Sequence, residues 1–170
     1  MVSLLISHYS NAMHIAILNS NTDRSDFAKN WPDDFEKFST LLKEVRPDWE
    51  FSHFDAIFEE HPEDLSLYDG YIVTGSPASV NSEEAWVHSE IKLVQEIIAL
   101  KKPIFGACFG HQLIAHALGS AIVDNPGGWV FGSISTNWVN SPAWMKDAED
   151  QKVNQWAIYA AHSEQVSELP

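Results

Sequence analysis

Cysteine is nearly absent from this chain: Cys108 is the only one in 170 residues. One thiol cannot close an internal disulfide, so a reducing, cytoplasmic setting is expected, and a free sulfur is left whose burial or use needs a reason. Cations are scarce as well, with 10 Lys and Arg against 24 Asp and Glu, a net charge of -14. A surface so acidic repels a phosphate backbone, which argues against nucleic acid as a direct ligand. No apolar run approaches the ~20 residues of a membrane span. The opening MVSLLISHYSNAM has a short apolar patch but neither the basic start nor the long apolar stretch of an export signal, so no membrane association is expected. Internal repeats and low-complexity linkers are missing too. With scattered histidines and no second cysteine, neither a metal nor another cofactor is expected.

What is there suits a single domain. The chain is 45% hydrophobic, enough for one real core and too short for two comfortable ones. Met1 to Ala12 reads as a separable extension or tag-like segment, and the domain as 13–170, opening on the β-rich MHIAILNSN. From there strands and helices alternate. His14 to Leu18 predicts a buried strand, and Pro32 to Val45 a helix with Phe35, Phe38, Leu41 and Leu42 on one side. WEFSHFDAI predicts a second strand and DGYIVTGSP a third that runs into a turn at Gly75, Ser76 and Pro77. A helix over Ser82 to Lys101 would present Val87, Ile91, Val94 and Ile98 and stop at Pro103. PIFGA predicts a fourth strand, followed by a helix through Leu113, Ile114, Ala117 and Leu118 that ends at Gly119. AIVD starts another strand. NPGGWVFGSISTNW suggests an antiparallel addition, SPAWMKDAEDQ a short helix, and WAIYAAH a strand that breaks at His162. The pattern is that of an α/β three-layer sandwich with a mainly parallel central sheet, which would hold its site at the carboxyl ends of the strands.

The strongest chemical signal lies in FGACFGHQ. Gly106, Cys108 and Gly110 at a strand-to-helix junction have the form of a nucleophile elbow. Such a turn is strained and sharp, so the residues two before and two after the nucleophile must be small. The turn lifts the thiol above the sheet and offers the N–H of Phe109 to whatever the sulfur attacks, while the helix N-terminus favours negative charge on the sulfur. Thr74, Gly75, Ser76 and Pro77, at the tip of a neighbouring strand, could supply a second oxyanion donor. The plainer reading is a glycine-rich turn with an inert thiol, since a free Cys often serves as a small hydrophobe.

Four segments in order, VTGSPASV, KPIFGACFGHQLIAHALG, GGWVFG and AAHSEQVSELP, resemble the motifs of class I glutamine amidotransferases, in particular stand-alone proteins similar to the GMP synthase glutaminase domain. The resemblance runs over nearly all of Met13 to Pro170. It implies a flavodoxin-like fold and a glutaminase chemistry, in which a Cys thiolate attacks the side-chain amide of glutamine, ammonia leaves, and water hydrolyses a γ-glutamyl thioester. By position it implies Cys108 as nucleophile, the N–H groups of Phe109 and Ser76 as oxyanion hole, and Gly75, Gln112, His162, Ser163 and Glu164 on the substrate side. Some relatives cleave γ-glutamyl peptide bonds through the same thioester.

A general base and an orienting acid are harder to find. His111 and His116 lie on the elbow helix with no carboxylate near in sequence, which suits packing or a polar network. His61, Pro62 and Glu63 spell the tripeptide HPE that supplies the family's base and acid, but here it precedes Cys108, in a loop that reads as a solvated acidic turn. His162 and Glu164 have His-x-Glu spacing after Cys108, yet HSEQVSELP matches the family's substrate loop, with the stand-in base kept as an alternative. In the family a further segment carrying the His-Pro-Glu follows, so the last strand and helix are expected to be missing here, and little or no glutaminase activity is expected of the chain. Two other readings stay open: a non-catalytic binding module of degenerate fold, which an unfinished sheet would incline to homo-oligomerise, and another cysteine-elbow hydrolase of the intracellular-protease kind. The latter usually places His directly after the cysteine, where this chain has Phe109.

Overall fold

The computed structural model describes residues 12–137 and 155–170. The proposed extension, apart from Ala12, and the short helix expected over SPAWMKDAEDQ therefore lie outside the described residues. Contacts divide the chain into two units, one running to Ile122 and including Val166–Pro170, the other covering Val123–Gln165.

The first unit is built on four parallel strands, β1 (His14–Asn19), β2 (Glu50–Asp55), β3 (Gly70–Val73) and β4 (Ile104–Gly106), in the order β2-β1-β3-β4. β1 lies between two neighbours and is covered on both faces, which is why HIAILN is apolar almost throughout rather than alternating. Its side chains are shared between two layers. Ala16 and Leu18, with Tyr71 and Val73 of β3, join the core formed by the helices α2 (Ala85–Ala99) and α3 (Phe109–Ala117). Ile15 and Ile17, with Ile72, meet Phe35, Phe38 and Leu42 of α1 (Asp34–Val45) on the other face. Removing each of the larger aliphatic and Phe side chains among these from water stabilises the fold by roughly 1.5–3 kcal/mol, which locks the strand register. The result is the expected three-layer α/β sandwich.

Three details depart from expectation. α1 begins at Asp34, two residues past Pro32, because Asp33 caps it: Asp33 Oδ1 accepts from the Glu36 N–H at 2.8 Å, and Glu36 Oε2 accepts from the Asp33 N–H at 3.1 Å. Leu41 is exposed rather than packed. In α2 the buried stripe is Trp86, Val87, Glu90, Leu93, Val94 and Ile97, with Ile91 and Ile98 only at its margin. The buried arc is turned because α2 meets α3 as well as the sheet, and Trp86 stands 5.6 Å from Phe109, ring to ring.

In the second unit β6 (Val130–Asn137) pairs antiparallel with β7 (Gln155–His162), from Val130 opposite His162 to Asn137 opposite Gln155, as the β-branched run suggested. The short strands β5 (Ile122–Asp124) and β8 (Glu164–Val166) pair where the chain is divided into units. Among the described residues no helix is long and apolar enough to cross a membrane.

Candidate active site

The turn between β4 and α3 is held open at its centre and tight at its flanks. The Ala107 N–H donates to the Val73 carbonyl at 3.0 Å, which ties the end of β4 to β3. The next residue, Cys108, has φ 49° and ψ −105°, and it is the N-cap of α3. A residue with a Cβ pays strain on the order of 1–3 kcal/mol to hold such a conformation, which persists only where its surroundings enforce it. Cys108 is exposed, so the strain serves to present the thiol rather than to bury it.

The enforcing contacts are at the two glycines. A Cβ on Gly106 would come 2.5 Å from the His111 nitrogen and overlap the Gly110 carbonyl. One on Gly110 would overlap the Val73 carbonyl and stand 2.8 Å from Val73 Cβ. The Gly110 N–H donates to the Thr74 carbonyl at 3.2 Å and the Ala107 carbonyl at 2.9 Å. The requirement for small residues two before and two after the cysteine is thus met sterically. Below the turn, Phe109 is buried against Trp86 and anchors the first turn of α3.

The tip of β3 lies against this elbow. A Cβ on Gly75 would be 3.7 Å from Cys108 Cβ, an ordinary contact distance. Ser76 Oγ accepts from the Ala78 N–H at 3.1 Å, folding the chain back on itself. Among the described residues, neither the Ser76 N–H nor the Phe109 N–H donates to another group. Gln112 is buried one turn into α3, with its N–H donating to the Cys108 carbonyl at 3.1 Å. The first unit therefore brings together Gly75, Ser76, Cys108, Phe109 and Gln112.

His162, Ser163 and Glu164 belong to the second unit. There the Ser163 carbonyl accepts from the Asn125 N–H at 2.8 Å. His162 Nδ1 donates to the backbone carbonyl of Glu164 at 2.9 Å, so the His-x-Glu spacing closes a turn through the main chain. Of the other histidines, His111 is exposed, and His116 is half-buried with no partner for Nδ1. His61 is not in a fully solvated turn: Pro62 is buried, His61 Nε2 is buried without a partner, and burial pushes the imidazole pKa down against the pull of Glu59 and Glu96. Among the described residues no three His, Cys, Asp or Glu side chains converge as metal ligands would.

One polar group was missed from sequence. Glu90 sits on the apolar stripe of α2 with no exposure at all. Its Oε1 accepts from the Ser20 hydroxyl at 2.7 Å, and its Oε2 has no partner. Burial lifts its carboxyl to about 7, with the Ser20 hydrogen bond pulling the other way. The available signal was its spacing, four after Trp86 and four before Val94, a core position holding an acid.

Against known proteins, the family model described as glutamine amidotransferase class-I matches residues 36–169. A glutamine amidotransferase-like protein of Schizosaccharomyces pombe is 32% identical over 133 residues, covering 71% of this chain and 53% of that protein. Gamma-glutamyl peptidase 3 of Arabidopsis thaliana is 29% identical over 108 residues, 63% of this chain and 43% of that one. The chain thus spans about half the length of the curated relatives it matches. Its fold is similar to the crystal structure of a glutamine amidotransferase from Thermotoga maritima, with a TM-score of 0.73 at 18% identity over 93% of this chain and 63% of that one.

Proposed function

The chain belongs to the class I glutamine amidotransferase family, and from that premise we propose that Cys108 attacks a γ-glutamyl carbonyl. The sulfur–carbon bond forms as the carbonyl electrons move onto oxygen, and the N–H groups of Phe109 and Ser76 receive that charge. Collapse expels the nitrogen, which takes up, by way of water, the proton the Cys108 thiol lost on ionising, and leaves a γ-glutamyl thioester for a second water to hydrolyse. Gln112 and Gly75 border the reacting centre. On the family resemblance alone, His162, Ser163 and Glu164 are assigned to the α-amino and α-carboxylate end of the substrate.

The observation that carries this reading is the strained, exposed Cys108 between two glycines that admit no side chain. An inert thiol gains nothing from such a turn. Two leaving groups are compatible with it: ammonia from glutamine, and an amine from a γ-glutamyl peptide, the latter supported by the likeness to a γ-glutamyl peptidase. Incubation with glutamine or with a γ-glutamyl dipeptide, followed by assay of ammonia and free amine and by mass spectrometry of the Cys108 peptide, tests both. Because no general base is assigned, turnover should be little or none, and the expected result is a slowly formed γ-glutamyl adduct on Cys108 with at most stoichiometric ammonia or amine, absent in Cys108→Ala. No adduct with either substrate, together with iodoacetamide alkylation no faster than that of a free thiol, would refute the reading.

A further inference from the structure

A buried acid on the core stripe of a helix needs a reason, because an uncompensated polar group there costs stability. Glu90 is tied to the site by a short chain of hydrogen bonds. Ser20 Oγ donates to Glu90 Oε1 at 2.7 Å, and the Ser20 N–H donates to Thr74 Oγ1 at 2.9 Å. The one Thr74 hydroxyl proton is shared between the Gly75 carbonyl at 3.3 Å and Asn19 Oδ1 at 3.5 Å, while the Thr74 carbonyl accepts from the Gly110 N–H at 3.2 Å. Ser20, Thr74 and Glu90 are all fully buried. The chain therefore joins α2, the end of β1, the tip of β3 that carries Gly75 and Ser76, and the elbow helix.

We propose that Glu90 is a positioning residue that, through Ser20 and Thr74, holds the tip of β3 where the Ser76 N–H can receive the oxyanion. The inference rests on the reading of Cys108 as an acyl-forming nucleophile. The part Glu90 plays is that of an acceptor through Oε1, which serves with the carboxyl either ionised or protonated. A glutamine would have the same shape and the same Oε1, whereas a leucine would leave Ser20 Oγ without its acceptor.

Two probes of the single cysteine separate this role from general support of the fold. Acylation by p-nitrophenyl acetate passes through a tetrahedral oxyanion and releases p-nitrophenolate, a leaving group that needs no proton. Alkylation by iodoacetamide displaces iodide at a methylene carbon and forms no oxyanion. In the full chain, Glu90→Leu and Ser20→Ala should slow the single-turnover acylation of Cys108 by between about 10- and 100-fold while alkylation changes by less than about twofold, since misplacing an oxyanion donor affects only the first. Glu90→Gln should keep both rates near wild type. Equal losses in the two reactions, unchanged acylation in Ser20→Ala, or a Glu90→Gln variant as impaired as Glu90→Leu would overturn the proposal. If Glu90→Leu does not fold, the Ser20→Ala and Glu90→Gln pair decides it. A wild-type Cys108 that alkylates but is never acylated would instead sink the parent reading, and this one with it.

Discussion

Replacing Cys108 by glycine and by alanine should give proteins of different stability, in an order opposite to the usual one. At φ 49° and ψ −105° the native residue sits where a Cβ is disfavoured. Alanine keeps that Cβ and so keeps a strain on the order of 1–3 kcal/mol, whereas glycine relieves it. Glycine in turn loses roughly 0.5–1 kcal/mol through the greater freedom of its unfolded chain. The side chain is exposed, so little packing is lost in either variant. The difference leaves Cys108→Gly more stable than Cys108→Ala by about 1 kcal/mol, or about 2–4 °C in melting temperature for a chain of this size. Urea unfolding of the two variants at equal m values reads the difference as a shift in midpoint. If Cys108→Ala were as stable as Cys108→Gly, or more so, the surroundings would not be holding the elbow under strain, and the principal argument for a presented nucleophile would fail.

Gly110→Ala should cost about 1–3 kcal/mol despite alanine's better helix propensity, because its Cβ meets the Val73 main chain inside the sheet, and circular dichroism melts will read the loss. Asp33→Ala removes the cap of α1 and should cost about 1 kcal/mol in the same assay. For Glu90 the folded carboxyl, raised to about 7, holds its proton more tightly than the unfolded one at 4.5. Its contribution to stability is therefore unchanged below pH 4.5, falls as pH rises towards 7, and is flat above that, with a total loss on the order of 3 kcal/mol. Stability measured from pH 5 to 8 should decline less in Glu90→Gln than in wild type, and parallel profiles would refute the assignment.

Much of the site could be read from FGACFGHQ because an elbow is a local object. Its glycines are required by atoms within five residues or on the adjoining strand, and the Gly-x-Cys-x-Gly spacing already implied them. The parallel sheet was similarly available from the alternation of strands and helices, and TGSP was expected to end a strand at the edge where such sheets keep their sites. Other features escaped. Leu41 has helical spacing with Phe38 and Leu42 but is exposed among the described residues. His162 and Glu164 were read as substrate-loop residues with a stand-in base as the alternative, and spacing alone did not show that the imidazole donates to the Glu164 main-chain carbonyl. His61, read as part of a solvated turn, is partly enclosed.

By itself, then, the sequence determined the alternation of elements, the steric form of the cysteine turn and the family whose motifs it carries, because each depends on periodicity or on contacts between near neighbours. Only the tertiary structure decided which face of α2 is buried and that Glu90 lies within it, bonded to a serine 70 residues earlier in the chain. The physical reason is that burial is a property of what lies opposite: Ser20, just beyond β1, meets Glu90 from a distant part of the chain, and burial in the core, rather than any neighbour in sequence, raises its carboxyl pKa.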